Sequence, residues 1–258
     1  MPSRKYAAVT IASARSSADR YAPRRRIAPC VILATIFALQ VLAGNALAAN
    51  YTEFWPELGT YYQFNPRVRS YLDMSYSKGM ETGQLGLDAS ASIDVSLKPM
   101  LRKTLLSEQW ERSRYLWARF GYTRVFNLEG GGSRGVSENR GVIALYGKAP
   151  YFPAGIALGA RVRADLRWIG GGYSDRYRLR LDVSREVEMR GHTVVPYINY
   201  EWYYDTRYDA WSRTLLQGGV EITEDPHFRY EVYLAQLNVH DPSASTTNAL
   251  GIALKWYF

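Results

Sequence analysis

The 258-residue chain has one cysteine, Cys30, and three histidines, His192, His227 and His240. A single thiol so near the N-terminus leaves nothing after residue 30 to close a disulfide or build a thiolate metal centre. Long apolar runs are missing too: beyond residue 48 none approaches the ~20 residues that a membrane-spanning helix requires. Acid is in deficit, 24 Asp plus Glu against 32 Lys plus Arg, for a formal charge of +8. The deficit is local. Residues 1–48 hold Arg4, Lys5, Arg15, Arg20, Arg24, Arg25 and Arg26 against Asp19 alone, so 32 − 7 = 25 basic and 24 − 1 = 23 acidic residues follow, a balance of +2. So small a balance gives no ground for a nucleic-acid partner. Nor is the chain disordered, being 47% hydrophobic and only 22% charged. What it has in excess is aromatic side chains: 21 Tyr, 8 Phe and 7 Trp.

After Arg24-Arg25-Arg26 comes an apolar stretch from Ile27 to Ala43, followed by Ala46-Leu47-Ala48. A basic segment, an apolar segment and an A-x-A site (Ala46, Ala48) together read as a secretory signal peptide, residues 1–48, cut before Ala49. A retained anchor fits less well, because the run is short, is broken by Gln40 and ends in small residues. Cys30 precedes the apolar segment and so is not at a lipoprotein cleavage site. Export by the general route is expected.

The exported part, 49–258, is patterned as strands of a single domain. From Gln84 to Leu97 the residues Leu85, Leu87, Ala89, Ala91, Ile93, Val95 and Leu97 alternate with polar or small ones, so one face is apolar throughout. Ile156 to Trp168 repeats this, with Arg161, Arg163, Asp165 and Arg167 on the polar side. In the next segment Tyr177, Leu179, Leu181 and Val183 alternate with Arg178, Arg180 and Asp182. Thirteen residues at ~3.3 Å each span roughly 40 Å, more than the ~9–11 residues a tilted strand needs to cross a bilayer. A soluble β-sandwich also alternates, but explains the length and the unbroken apolar faces less well. Trp and Tyr recur at strand ends, as in Phe54-Trp55, Trp168, Trp202-Tyr203-Tyr204 and Trp256-Tyr257-Phe258, where barrels carry aromatic girdles. A C-terminal Phe258 with Ile252, Leu254 and Trp256 at alternate positions before it resembles the last strand of bacterial outer-membrane proteins, the part the barrel-assembly machinery recognises.

Strands are expected near 53–64, 67–77, 84–97, 114–126, 140–148, 156–168, 174–188, 193–204, 212–223, 228–238 and 248–258. Asn65-Pro66, 189–191 and 224–226 read as short turns, while 127–139, 170–173, 205–211 and 240–247 read as polar loops at the other end. Eleven segments conflict with the even number that a closed antiparallel barrel needs when both termini share one end. The pattern therefore favours twelve strands over ten, with 98–113 hiding the missing one or forming a short amphipathic helix or long turn, and with Pro56 making the first segment doubtful as a full strand. The architecture is an all-β, transmembrane, antiparallel up-and-down barrel.

The stretch Val195-Pro196-Tyr197-Ile198-Asn199-Tyr200-Glu201-Trp202-Tyr203-Tyr204-Asp205, preceded by Tyr177-Arg178-Leu179-Arg180-Leu181, resembles a domain-of-unknown-function family of small bacterial outer-membrane β-barrels. Phe54-Trp55-Pro56-Glu57-Leu58 and Asn65-Pro66-Arg67-Val68-Arg69 carry the same resemblance. It implies location and fold and brings no activity with it.

No catalytic pattern stands out. The His and Ser two apart on one strand that outer-membrane acyl hydrolases use are absent, since Val194, Arg229 and Pro242 follow the histidines at that distance. A carboxylate-type protease would have to assemble His240 with Asp205, Asp209 and Asp241 from loops. No metal or cofactor is expected. What remains is the inward face, where Arg161, Arg163, Arg167, Arg178 and Arg180 fall beside Asp165, Asp182 and Glu201. Unpaired, they would line a bore attractive to small anions; paired with Asp165, Asp182, Glu186 and Glu201, they would plug it. The reading settles on a small passive pore for anionic or polar solutes in outer-membrane lipid, with a plugged barrel acting through its external loops as the alternative and a hydrolase last.

Overall fold

The structure is a computed structural model describing residues 51–80, 85–99, 114–127, 137–149, 156–189, 191–225, 227–240 and 244–258. It is built from twelve strands: β1 (Tyr51–Asn65), β2 (Val68–Gly79), β3 (Leu85–Pro99), β4 (Arg114–Asn127), β5 (Glu138–Ala149), β6 (Ile156–Ile169), β7 (Gly172–Arg185), β8 (Val187–Met189), β9 (His192–Asp205), β10 (Ala210–Asp225), β11 (Phe228–Val239) and β12 (Ser245–Tyr257). The predicted alternating segments lie on these strands except for Gln84, outside the described residues, and Phe258, just past β12. The predicted signal peptide with Ala46 and Ala48, and most of the 98–113 connection, lie outside the described residues.

Apart from β7 and β8, which both pair with β9, each strand pairs with its chain neighbours, and β12 returns to β1, so the sheet closes on itself. Closure removes the free edges on which a sheet would otherwise aggregate. Of the twelve elements, β8 only prolongs β7: both pair with β9, Ser184 opposite Tyr197 and Val187 opposite Val194, in one register on either side of Glu186. The closed ring therefore has eleven strands, which corrects the expected twelve. The parity argument assumed that both termini lie at one end. Instead β1 runs parallel to β12 from Tyr51 opposite Thr247 to Tyr61 opposite Tyr257, so an odd number closes with one parallel pair. Gln63 N donates to Phe258 O and Phe258 N to Tyr61 O, each at 2.9 Å, tying the last residue into that seam.

Pro56 does not prevent β1 from forming. Its missing N–H coincides with the gap in the β1–β2 register between Phe54 and Glu57, while the pairing with β12 runs on through Pro56 opposite Ile252. At the Asn65-Pro66 turn, Asn65 Oδ1 accepts from Arg67 N at 2.8 Å and Val68 N at 3.0 Å, the local cap for which Asn suits a turn. Gly170, Gly171 and Gly191 take positive φ at the β6–β7 and β8–β9 turns.

The ring has two different ends. Tyr51, Gly79, Leu85, Asn127, Glu138, Ile169, Gly172, Asp205, Ala210, Val239 and Ser245 are at one, the loop end. Asn65, Pro66, Pro99, Arg114, Ala149, Ile156, Met189, His192, Asp225, Phe228 and Phe258 are at the other, the C-terminal end.

Candidate functional site

The alternation read from the sequence sorts side chains between two environments. On β6 and β7 the outward set includes Val162, 57% exposed, with Leu158, Leu179, Leu181 and Val183 also exposed, whereas Asp165 on the inner side is fully covered. Leu72, Ile93, Phe120, Ile143, Leu145, Val232 and Ile252 are likewise exposed on the outside of their strands. The ring is thus apolar outside and charged inside, the reverse of a water-soluble core.

Inside, β6, β7 and β9 bring most of the predicted residues together. Arg161 stands opposite Arg180, and Arg163 opposite Arg178, across the β6–β7 pair. Like charges directly opposite are unfavourable unless acids intervene. Glu201, from β9, accepts from Arg161 Nη2 at 2.6 Å and from Arg178 Nε and Nη2 at 2.7 and 3.0 Å. Asp165 accepts from Arg163 Nε at 2.5 Å and lies 3.7 Å from Arg178 Nη1. The Arg178 guanidinium also lies over the Tyr203 ring, 4.5 Å from its centroid, and donates to its hydroxyl. Arg180 forms no ion pair within 4 Å among the described residues, and its Nε is buried without a hydrogen-bond partner. Asp182, also predicted for this wall, points at Gly159, where an added Cβ would run into its carboxylate.

Arg167, the remaining predicted arginine, belongs to a separate group nearer the loop end. It holds Glu138 at 2.6 Å and Asp205 at 2.6 Å, and Arg176 shares Asp205 at 3.0 Å. Near the C-terminal end Asp94, fully covered, bridges Arg69 at 2.8 Å and Arg119 at 2.6 Å. There Tyr61 stacks on Tyr71 and Tyr257 with centroids 4.2 and 4.7 Å apart, while Arg69, Arg119 and Arg229 cover the rings of Tyr61, Tyr71 and Tyr257. Lys255, on β12, joins Glu221 at 3.1 Å and Glu231 at 2.7 Å. On the wall five strands round the ring from β6, Tyr233 donates to Glu57, and Tyr71 donates to Asp73 at 2.9 Å.

Sequence reasoning missed Glu138, Asp205, Arg176, Asp94 and the tyrosine stack. Their inward parity was legible, but their partners were not. Arg161 reaches Glu201, and Arg167 reaches Asp205, across the whole of β7, which only the stagger of a closed barrel decides.

On the outside, aromatic side chains form two belts. At the C-terminal end Tyr62 packs on Phe64 with centroids 5.1 Å apart, and Phe228 on Trp256 at 5.2 Å. At the loop end Trp168 packs on Tyr173 at 5.4 Å, and Tyr204 on Trp211 at 5.6 Å. Between the belts β12 turns Leu250, Ile252 and Leu254 outward, and Phe258 is exposed at its end. The histidines sit at strand ends: His227 Nδ1 lies 2.7 Å from Tyr257 O, and His240 Nε2 lies 3.4 Å from Thr214 Oγ1. Among the described residues, no group of three or more His, Cys, Asp or Glu has the arrangement to hold a metal ion. No family model matches the chain, and no curated protein is similar to it.

Proposed function

We propose that the chain is an exported bacterial outer-membrane β-barrel, closed by its own interior side chains, that works through what it presents at the loop end. The observation that carries this reading is the inversion of polarity. Exposed aliphatic side chains on most strands of the ring, with exposed aromatic pairs towards both ends, suit lipid, and a paired ionic interior suits a barrel with no second sheet to pack on. The eleven ring strands are 12 to 16 residues long, enough to cross a bilayer at a tilt. The resemblance of Val195–Asp205 to small outer-membrane barrels points the same way, and so does the A-x-A site at Ala46 and Ala48. Ile252, Leu254, Trp256 and Phe258 serve as the strand that the barrel-assembly machinery takes up. Lipid is the principal partner, and the reading includes no catalytic centre, metal, cofactor or nucleic acid.

Closure follows from the pairing of the inward charges. Arg161, Arg163, Arg167 and Arg178 each form at least one ion pair with Asp165, Glu201, Glu138 or Asp205, and tyrosines stack towards the C-terminal end. The test is a planar-bilayer recording of the purified mature protein, in which a closed barrel gives no conductance steps. Deleting 128–136 or 241–243, which lie between the strands, then removes the cellular phenotype and leaves the barrel folded.

A passive anion pore is the second reading, favoured by the arginine excess around Arg180. It requires steady conductance whose ion preference reverses when Arg163 and Arg180 are both replaced by Glu.

A further inference from the structure

The arginines of β6 and β7 outnumber the acids that touch them. Arg161, Arg163 and Arg178 share Asp165 and Glu201, and Arg180, directly opposite Arg161, forms no ion pair within 4 Å among the described residues, Glu201 and Glu231 being the acids in its electrostatic reach. Asp182 lies on Gly159, Glu57 and Asp73 on the facing wall accept from the hydroxyls of Tyr233 and Tyr71, and Glu231 holds Lys255 at 2.7 Å. Accessibility is divided just as unevenly. The side chains of Arg161, Arg163 and Arg178 keep 12%, 16% and 14% of their surface open, while Asp165 and Glu201 keep 0% and 1%. Whatever space borders this cluster is therefore bordered by guanidinium groups and not by carboxylates. Two of the cluster's donors, Arg161 Nε and Arg180 Nε, are buried with no acceptor, against one acceptor, Asp165 Oδ2, buried with no donor. A buried donor without an acceptor is costly, and two pairs of opposed cations add repulsion to that cost.

We propose that this wall is a binding site for a small oxyanion, of the phosphate or carboxylate class, held between Arg163 and Arg180. Planar guanidinium groups present paired N–H donors to just such oxygens. The acids already in place set the orientation: Glu201 fixes Arg161 and Arg178, and Asp165 fixes Arg163, so the anion meets a preformed cradle. The inference rests on the reading of this wall as the barrel interior and does not require conduction, since a closed barrel can hold the ion.

The test is titration calorimetry of the folded mature barrel in neutral detergent, with inorganic phosphate as probe and chloride at matched ionic strength as reference. Phosphate binds the unmodified protein at least ten times more tightly than chloride. Arg180→Gln weakens phosphate tenfold or more, Arg180→Lys by less, and Arg124→Gln on the outer face changes nothing. Arg180→Glu supplies the missing acid from within, so it abolishes phosphate binding and raises the unfolding temperature of the ion-free barrel by several degrees. Phosphate binding no tighter than chloride, equal loss in Arg124→Gln and Arg180→Gln, or a lowered unfolding temperature in Arg180→Glu would each overturn the proposal. Bilayer conductance overturns the closed-barrel reading alone and leaves the site standing, which keeps the two failures distinct.

Discussion

At the scale of residues, the account turns on acids that each hold two bases. Glu201 and Asp94 are nearly or fully covered, and each bridges two arginines. Buried charges are tolerated when their partners are complete and are costly when one partner is removed. Glu201→Gln leaves Arg161 and Arg178 short of charge and is expected to lower stability by about 3–5 kcal/mol, the usual cost of breaking a buried pair, read from urea unfolding in lipid vesicles. Glu186→Gln, at the exposed break between β7 and β8, is expected to change stability by less than ~0.5 kcal/mol, as most surface substitutions do. Size matters as well as charge. The Tyr233 ring lies flat on Gly251 and reaches Glu57, so Gly251→Val displaces the ring and breaks that hydrogen bond. Overpacking of this kind costs about 1–3 kcal/mol, and Gly251→Ala, which also carries a Cβ, is expected to share most of the loss.

At the scale of elements, the parallel β1–β12 seam puts Tyr51 and Phe258 at opposite ends of the barrel. If the loop end faces outward from the cell, an epitope placed directly after Ala49 is reached by antibody on intact cells, whereas one after Phe258 is not. Equal accessibility of both epitopes would contradict the seam. Deletion of Phe258 removes two hydrogen bonds to β1 and the last outward aromatic, and is expected to lower the yield of folded barrel in the outer-membrane fraction. This scale also shows what a sequence can yield. Strict alternation over Gln84–Leu97 and Ile156–Trp168 makes strand identity and facing legible, because a period of two admits one solution. The number of strands in the ring was less accessible. It depends on the relative direction of β1 and β12, which are far apart in sequence and carry no local signal for parallel pairing. Glu186 gave no sign either, since a one-residue break that preserves register looks like continuous strand. The arginine wall was legible as parity on β6 and β7, whereas the assignment of Glu201 to both Arg161 and Arg178 needed the register through β7 to β9.

At the scale of the whole molecule, the outer surface decides the environment. Side chains such as Leu72, Val162 and Leu145 on three separate strands would cost free energy if hydrated, of the order of 25 cal/mol per Å² of apolar surface, and their exposure shows that nothing among the described residues covers them. Lipid removes that cost without requiring a second sheet. The paired interior then explains why so polar a bore need not conduct. The native cysteine, Cys30, lies within the predicted leader, so the mature chain offers a background free of other thiols for single-site labelling. The most direct test of the lipid-facing band is a nitroxide attached in turn at Leu145→Cys, on the outer face, and at its inward neighbour Ala144→Cys, in barrels reconstituted into vesicles. The account predicts that the label at 145 is relaxed by oxygen dissolved in the bilayer and shielded from a water-soluble nickel chelate, and that the label at 144 is shielded from bilayer oxygen. A label at 145 that the nickel chelate relaxes as freely as it does one on a water-exposed loop would contradict it.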